Sequence, residues 1–469
     1  MSKQAVAVAI MVLVAPGAFA GKPDKQEKMD KVQQDVILLQ TVSVIANEVE
    51  ASNVGASTLS HDQIETRQAS SVQELLDTLP ATSLVGSPRA GGQTINIQGF
   101  GSMDVEHVQL KLDGAPKQFR KYQQGSLFLE PELLKSVDVG KGPHSSMNGN
   151  GGFGGVVNMK TKDAKDLLKP GQVVGGMVKT GFHSNNHLEL YSGTVYAGDK
   201  DNPFDVLVNI TKRRAGNMKE GDGNTFNYSG MNFLSGLAKV GYDFGNGHEI
   251  SLTHISGRDA SRVPWAAKAG LFDGYAVDEL YRKTVWRETD DTNTIFKHQF
   301  TSPSVEWLNT DLTLSYVDTK QHDTRPEEAS KYSGSNMGNE NWTHYKTLFA
   351  ELKNNQLIET SLLAHDLTYG VQYLQGKQDT LMLDLQPTHV KSGEYNHGLY
   401  QPWYMPSGKQ TTMSVFFQDE VSWNDLTITP SLRYDHVVNQ GVENLAPRFN
   451  NPAAGHDYSQ KSYSDLSST

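Results

Sequence analysis

"VDVGKGPHSSMNGNGGFGGVVNMKTK", residues 137–162, is the stretch on which the fold turns. Gly149, Gly151 and Gly154 spell G-x-G-x-x-G directly after an apparent strand at 135–139, the order found in a dinucleotide-binding turn. Such a turn needs a helix after its glycines, because the pyrophosphate rests on a helix N-terminus. The next residues are Gly155-Val-Val-Asn-Met-Lys-Thr161, β-branched and alternating, and they read as a strand. No acid stands about 20 residues beyond the motif to hold a ribose, and no Gly-Lys-Ser/Thr closes a P-loop. The glycines therefore make a tight connection between two strands whose backbones approach closely.

Upstream of this stretch the chain opens like an exported protein. Lys3, an apolar run at 5–15 and Ala18-Phe19-Ala20 compose a signal peptide cleaved after Ala20. The chain has no cysteine, which excludes disulfides, thiolate metal sites and cysteine nucleophiles together. Its formal charge is −11, which becomes −12 when Lys3 leaves with the leader. An acidic chain without a basic stripe is not built for nucleic acid. Beyond the leader no apolar segment reaches the length of a membrane helix. A transmembrane barrel stays open, because its strands alternate lipid-facing and lumen-facing residues and average to a soluble hydropathy.

The rest of the chain divides into three zones. The first, from Gly21, is rich in Lys, Asp and Gln and reads as a flexible tether. It gives way to the β-prone Val36-Ile-Leu-Leu39 and Gln40-Thr-Val-Ser-Val-Ile45, either the first strand of the next domain or a strand donated to a partner's sheet edge. The second zone mixes helices and strands. Ser60…Gln63 and Ser71…Glu74 are capping-box patterns, and the second opens a helix with Val72, Leu75, Leu76 and Leu79 on one face, stopped by Pro80. Strands at 94–97 and 108–112 and the turn Asp113-Gly-Ala-Pro116 come next.

The third zone, from Pro170, holds eleven or twelve alternating runs of about ten residues, the length of a tilted transmembrane strand. In one of them Phe204, Val206, Val208 and Ile210 share a face against Asp205, Asn209 and Thr211. Tight turns such as Gly245-Asn-Gly247 alternate with long polar excursions at 259–288, 323–342 and 382–410. Short turns at one end and long loops at the other are the layout of an outer-membrane barrel. A soluble β-sandwich or a secreted adhesin is the alternative on this pattern alone.

Four motifs together resemble the TonB-dependent outer-membrane receptors. Leu39-Gln40-Thr41-Val42-Ser43-Val44-Ile45 is similar to the TonB box. Ile97-Gln98-Gly99-Phe100 resembles the I-R-G-[FY] of the plug domain, with Gln98 in place of arginine. Asp113-Gly114-Ala-Pro116 matches a D-G-x-P turn, and Gly142-Pro143 with Gly154-Gly155-Val-Val-Asn158 resembles the R-G-P…G-G-V-I-N signature. The resemblance implies an α+β plug domain followed by an all-β antiparallel transmembrane barrel, of which about half of twenty-two strands is present. It divides the chain into a signal peptide at 1–20, a periplasmic tether at 21–38, a TonB box at 39–47, a plug at 48–166 and the N-terminal part of the barrel at 167–469.

Leu127-Phe-Leu-Glu-Pro-Glu-Leu-Leu134 and His365-Asp-Leu-Thr-Tyr-Gly370 are similar to segments of the haem and haemoglobin branch and its transferrin-type relatives. That branch implies import of iron as haem or from haemoproteins, powered by TonB and its inner-membrane complex, with haem as transported ligand and no permanently bound cofactor or metal. The ligand-binding candidates are Tyr122, standing where these receptors place a plug histidine, His107 and His144 nearby, and His389 and His397 in the aromatic stretch 382–410. The family's second haem-ligand loop would fall beyond Thr469, so a C-terminally truncated receptor is expected. A ferric-siderophore receptor and an inactive fragment are the rival readings. An enzyme is not expected: no G-x-S-x-G occurs, and His183 and His187 flank a hairpin turn rather than sharing a helix.

Overall fold

The computed structural model describes residues 56–85, 94–101, 107–119, 127–142, 146–149, 151–199, 202–265, 284–325, 339–402, 405–424, 426–443 and 457–468. The leader, the box at 39–45, Tyr122, Pro143 and His144 lie outside these residues.

The first unit comprises β1 (Ser57–Leu59), α1 (His61–Arg67), α2 (Val72–Asp77), β2 (Thr82–Val85), β3 (Thr94–Ile97), β4 (Phe100–Gly101), β5 (Val108–Leu112), β6 (Ala115–Pro116), β7 (Leu134–Lys141), β8 (Gly155–Thr161) and α3 (Ala164–Leu167). Its main sheet has the order β1-β7-β8-β5-β6, parallel only between β5 and β8. Both α1 and α2 begin where serine can satisfy a free backbone N–H. At α1 the bond is reciprocal, Ser60 N–H donating to the Gln63 side chain at 2.9 Å. At α2 the Glu74 N–H donates to Ser71 Oγ, but the Glu74 carboxylate turns to the Ser70 N–H instead. Val72, Leu75 and Leu76 are fully buried, and Leu79, just past the helix, closes the same face.

The glycine stretch joins β7 to β8. Gly154 donates its N–H to the His107 carbonyl at 2.8 Å, and Gly142 donates to the Gly154 carbonyl at 2.9 Å. A Cβ on Gly155 would stand 2.1 Å from the Gly140 carbonyl oxygen, and one on Gly154 2.5 Å from Phe100 Cβ. No side chain fits either place. Gln98-Gly99 and Asp113-Gly114 both adopt positive φ in succession and close the β3–β4 and β5–β6 hairpins. That is the requirement of a type I′ turn.

The second unit is one antiparallel meander. It runs β9 (Val174–His183), β10 (Leu188–Asp199), β11 (Asn202–Ala215), a small hairpin of β12 (Met218–Lys219) and β13 (Thr225–Phe226), β14 (Met231–Asp243), β15 (His248–Pro264), β16 (Thr284–Thr301), β17 (Asn309–Thr324), β18 (Glu340–Glu359), β19 (Ala364–Leu383), α4 (Pro387–Val390), β20 (Leu399–Tyr400), β21 (Gly408–Trp423), β22 (Leu426–Ile428), β23 (Ser431–Gly441) and β24 (Lys461–Ser468). Twelve of these strands pair in the unbroken order β9-β10-β11-β14-β15-β16-β17-β18-β19-β21-β23-β24, with β20 and β22 attached to β19 and β21. The strand count expected from alternation is met, and among the described residues the two edges, β9 and β24, do not pair with each other.

This sheet is inside out. On β11, Ile210 is 61% exposed while its neighbour Thr211 is completely buried. Outward faces carry Val178, Val195, Leu252, Leu314, Leu352, Val371, Met413 and Val415, and inward faces carry Thr253, Asn293, Ser315, Thr347 and Gln418. Burial of polar rows against exposed apolar rows suits lipid outside and a polar lumen within. Leu207, Leu237, Ile255, Ile295 and Phe349 break the polar lumen, and they join the core built from Leu59, Leu76, Leu134, Val137, Val157 and Met159. The plug thus packs against the polar, inward face of the sheet.

Two expectations need correction. The excursions at 259–288, 323–342 and 382–410 are strand in part, since β15 runs to Pro264, β16 starts at Thr284, and β18 and β19 have 20 residues each. Twenty residues rise about 66 Å, whereas a membrane needs only about 9–11 tilted residues. The upper halves project beyond the bilayer, where charged and polar residues stand on both faces and the regular apolar alternation vanishes. Residues 426–437 also read in the sequence as one alternating run, but a break at Thr429-Pro430 separates β22 from β23.

Candidate functional site

A seam of charge binds the plug to the barrel wall. The acids begin in the segment 127–134, where a turn of 3₁₀-helix at Pro131–Leu133 buries Glu130 and Glu132 among leucines. Arg213 on β11 reaches in with both ends of its fork, Nη2 to Glu130 Oε1 at 2.5 Å and Nε to Oε2 at 3.2 Å. Both side chains are 1% exposed. Burial pushes the Glu130 carboxyl above its ordinary value, with Arg213 pulling against it. Lys179 on β9 donates to Glu132 at 2.8 Å and to Glu65 of α1 at 2.6 Å, and Lys162 donates to the other Glu65 oxygen at 2.7 Å. Burial alone would raise Glu65, but the two lysines outweigh it and hold the carboxyl at about 2.

The seam continues along the wall. Asp163 takes Lys135 from the plug and Lys239 from β14, each at 2.5 Å. Asp205 of β11 accepts the N–H groups of Ala164 and Lys165 at 3.3 and 3.1 Å, so a barrel carboxylate caps the plug's last helix. Lys117 is buried against Asp291 of β16 and Thr319 of β17, and Phe119 packs edge-on to Tyr345 of β18. A cleft of about 290 Å³ opens between plug and wall, lined by Lys111, Lys117, Asn148, Gln372 and Arg433 among others.

The residues singled out from sequence scatter around this seam. Asp113 accepts the Thr161 N–H and hydroxyl at 2.9 and 2.7 Å and so ties the D-G turn to the end of β8. His107 lies half-buried at the head of β5, edge-on to Phe100. Phe119 and Leu127, which flank the segment that contains Tyr122, are both buried, and Phe119 meets Phe128 edge-on at 5.4 Å. His389 and His397 share one long connection, between β19 and β21, but not one environment. His389 is buried on α4, its Nδ1 3.0 Å from Asp384 Oδ2 and its ring 4.2 Å from that of Tyr395. Tyr395, Tyr400 and Met382 form a small core there.

His397 is exposed, and its Nδ1 lies 3.1 Å from the Val390 carbonyl. A carbonyl only accepts, so Nδ1 carries a proton, and in the neutral ring the lone pair is then on Nε2. Asn396, His397 and Gly398 hold positive φ in succession. Left-handed non-glycine residues of this kind cluster at binding sites. Among the described residues no three His, Asp or Glu side chains converge as a metal site.

Sequence reading missed the seam. Its one local signal is the pair of acids in Leu-Phe-Leu-Glu-Pro-Glu-Leu-Leu, an apolar run in which carboxylates have no reason to sit unless cations wait for them. Arg213 and Lys179 carried no signal, being two of many polar residues on alternating strands.

Comparison with known proteins accords with this architecture. The family described as TonB-dependent Receptor Plug Domain matches residues 48–156, and TonB dependent receptor-like, beta-barrel matches residues 191–468. TonB-dependent heme receptor A of Haemophilus ducreyi is 39% identical over 421 residues, covering 88% of this chain and 56% of that protein. The FrpB iron transporter of Neisseria meningitidis superposes with a TM-score of 0.70 at 22% identity, over 88% of this chain and 62% of its own. The hemophore receptor HasR of Serratia marcescens, solved as a double mutant with its hemophore HasA and heme, superposes with a TM-score of 0.66 at 19% identity, over 88% and 59%. At those identities the structural likeness speaks for the fold. The chain spans a little over half the length of the curated relative. With a plug packed into an inside-out sheet and a barrel match over most of its residues, the chain belongs to the TonB-dependent receptor family.

Proposed function

We propose that the complete receptor carries iron across the outer membrane as haem, taken free or from a haemoprotein, at the expense of energy delivered by TonB. The observation that carries this reading is the 39% identity to a TonB-dependent heme receptor through both plug and barrel. His397 supplies a chemical reason within the chain. In its neutral form the exposed ring, with Nδ1 donating to Val390, has Nε2 as the nitrogen able to ligate haem iron. His389 plays the supporting part, because its bond to Asp384 and its packing on Tyr395 fix the loop that presents His397. Tyr122, His107 and His144 remain the plug-side candidates for the second contact. Haem is cargo in this scheme; no resident cofactor and no covalent chemistry are required. The leader ends at Ala20, and residues 39–45 pair with TonB as an added strand.

The test uses the full-length receptor in an iron-starved host that lacks its own haem receptor. Deletion of residues 39–45 abolishes growth on haem while surface binding of haem stays within about twofold, because the box supplies only backbone pairing to the energising partner. His397→Ala weakens haem binding and shifts the haem absorption spectrum. Growth on a ferric siderophore but not on haem would overturn the reading in favour of a siderophore receptor. Equal loss of binding and uptake on deleting 39–45 would remove the box assignment.

A further inference from the structure

The register of the sheet brings three lysines face to face on the outer wall. Lys346 of β18 pairs with Lys377 of β19, and Lys377 pairs with Lys409 of β21. All three lie on the outward face: Lys346 alternates with buried Tyr345 and Thr347, Lys377 shares its face with Val371 and Leu381, and Lys409 shares its face with Met413 and Val415. Directly opposed residues hold their Cβ atoms roughly 4.5–5.5 Å apart, and like charges so placed destabilise a sheet. Two such pairs in succession call for an anion.

Nearby carboxylates do not meet the demand. Asp318 faces Lys346 across β17 and β18, but both its oxygens lie 3.0 Å from His344 Nε2, and it is also shared with Tyr316 and Lys320. Asp379 engages Lys377 alone, at 2.8 Å. The row therefore keeps a surplus of positive charge.

Its height on the wall says what supplies the anion. The turns at 244–247, 302–308 and 360–363 mark the short-turn end, and the long connections after β15, β17 and β19 mark the outer end. The lysines lie toward the outer end of their strands, above the exposed apolar band of Leu348, Leu352, Val371, Met413, Val415 and Phe417, with Gln375 and Thr411 beside Leu348 in the row between. That level is where acyl chains give way to headgroups.

Resting on the outer-membrane reading of the family, we propose that Lys346, Lys377 and Lys409 form a binding site for the phosphates of the anionic glycolipid of the outer leaflet, lipid A. The apolar band below takes the acyl chains and the lysine row takes the phosphate.

The test uses purified full-length receptor in detergent, delipidated and titrated with lipid A while native mass spectrometry reads the bound fraction. Wild type retains lipid A, and the triple variant K346Q/K377Q/K409Q binds it at least tenfold more weakly. The triple lysine-to-arginine variant keeps binding, as does K320Q, whose lysine stands one row higher. Lipid A stripped of its phosphates binds wild type as weakly as the triple glutamine variant binds the intact lipid. Without lipid, the glutamine variant melts close to wild type, since relief of the two lysine–lysine repulsions offsets loss of the exposed Lys377–Asp379 pair, so weak binding is not a folding defect. Undiminished binding by the glutamine variant, equal binding of dephosphorylated lipid A, or binding of free inorganic phosphate alone would each overturn the proposal. Haem uptake is read separately, so failure here leaves the transport reading untouched.

Discussion

Arg213 and Glu130 show how much one residue pair carries. Both side chains are buried from water, and their two hydrogen bonds join plug to wall. A buried pair is costly to assemble and costlier to break, since removing one partner strands the other's charge in a medium that cannot solvate it. Arg213→Ala is therefore expected to destabilise plug seating by about 3–5 kcal/mol. The double replacement Glu130→Leu with Arg213→Met should cost far less. Denaturant unfolding of the full-length receptor, followed by protease sensitivity of the plug, reads both. Equal losses in the single and double variants would show that packing, not charge, holds this point of the seam.

At the scale of elements, the β7–β8 connection is decided by backbone contact. The Gly155 position has φ +143° and faces the Gly140 carbonyl at a distance no Cβ can occupy. Gly155→Ala must part β7 from β8, at a cost of more than about 4 kcal/mol. Gly99 offers a contrast: it too has positive φ, but nothing lies within 4 Å of a Cβ built there. Gly99→Ala strains one turn only, by about 1–2 kcal/mol. If both variants of the receptor lose the same stability, the close approach of β7 and β8 is not what selects glycine. The motif that suggested a nucleotide turn is thus a strand junction, and the missing helix after it was the decisive sign.

The whole molecule answers to pH through its seam. Glu65 ionises at about 2 in the folded protein against an ordinary 4.5. A carboxyl whose pKa is depressed by folding contributes stability above its ordinary pKa and loses it as pH falls through the folded value. Asp163 is lowered too: burial opposes the shift, and Lys239 and Lys135 prevail. Glu130 has the opposite sign, so acid does not weaken every joint alike. The stability difference between wild type and Glu65→Gln is expected to be full at neutral pH and to shrink between pH 4.5 and about 2. A difference independent of pH would mean that Glu65 contributes packing alone.

Much of this was local enough to read from the chain. Serine caps, the Asp113-Gly114 and Gln98-Gly99 turns and the alternation of Phe204–Ile210 depend on neighbours a few residues away, and period-two patterning alone set out two faces on each strand. Partners far apart in sequence were another matter. Glu130 meets Arg213 across 83 positions and Lys117 meets Asp291 across 174, and no spacing rule links them. The outer halves of β15 to β19 were hidden because strand beyond the lipid no longer alternates in hydropathy. The lysine row appears only once pairing register is known, since a shift of two residues on any strand would separate the charges. Local physical chemistry determined the elements and their faces; register and plug seating, which arise from contacts summed over the whole sheet, decided which charges meet.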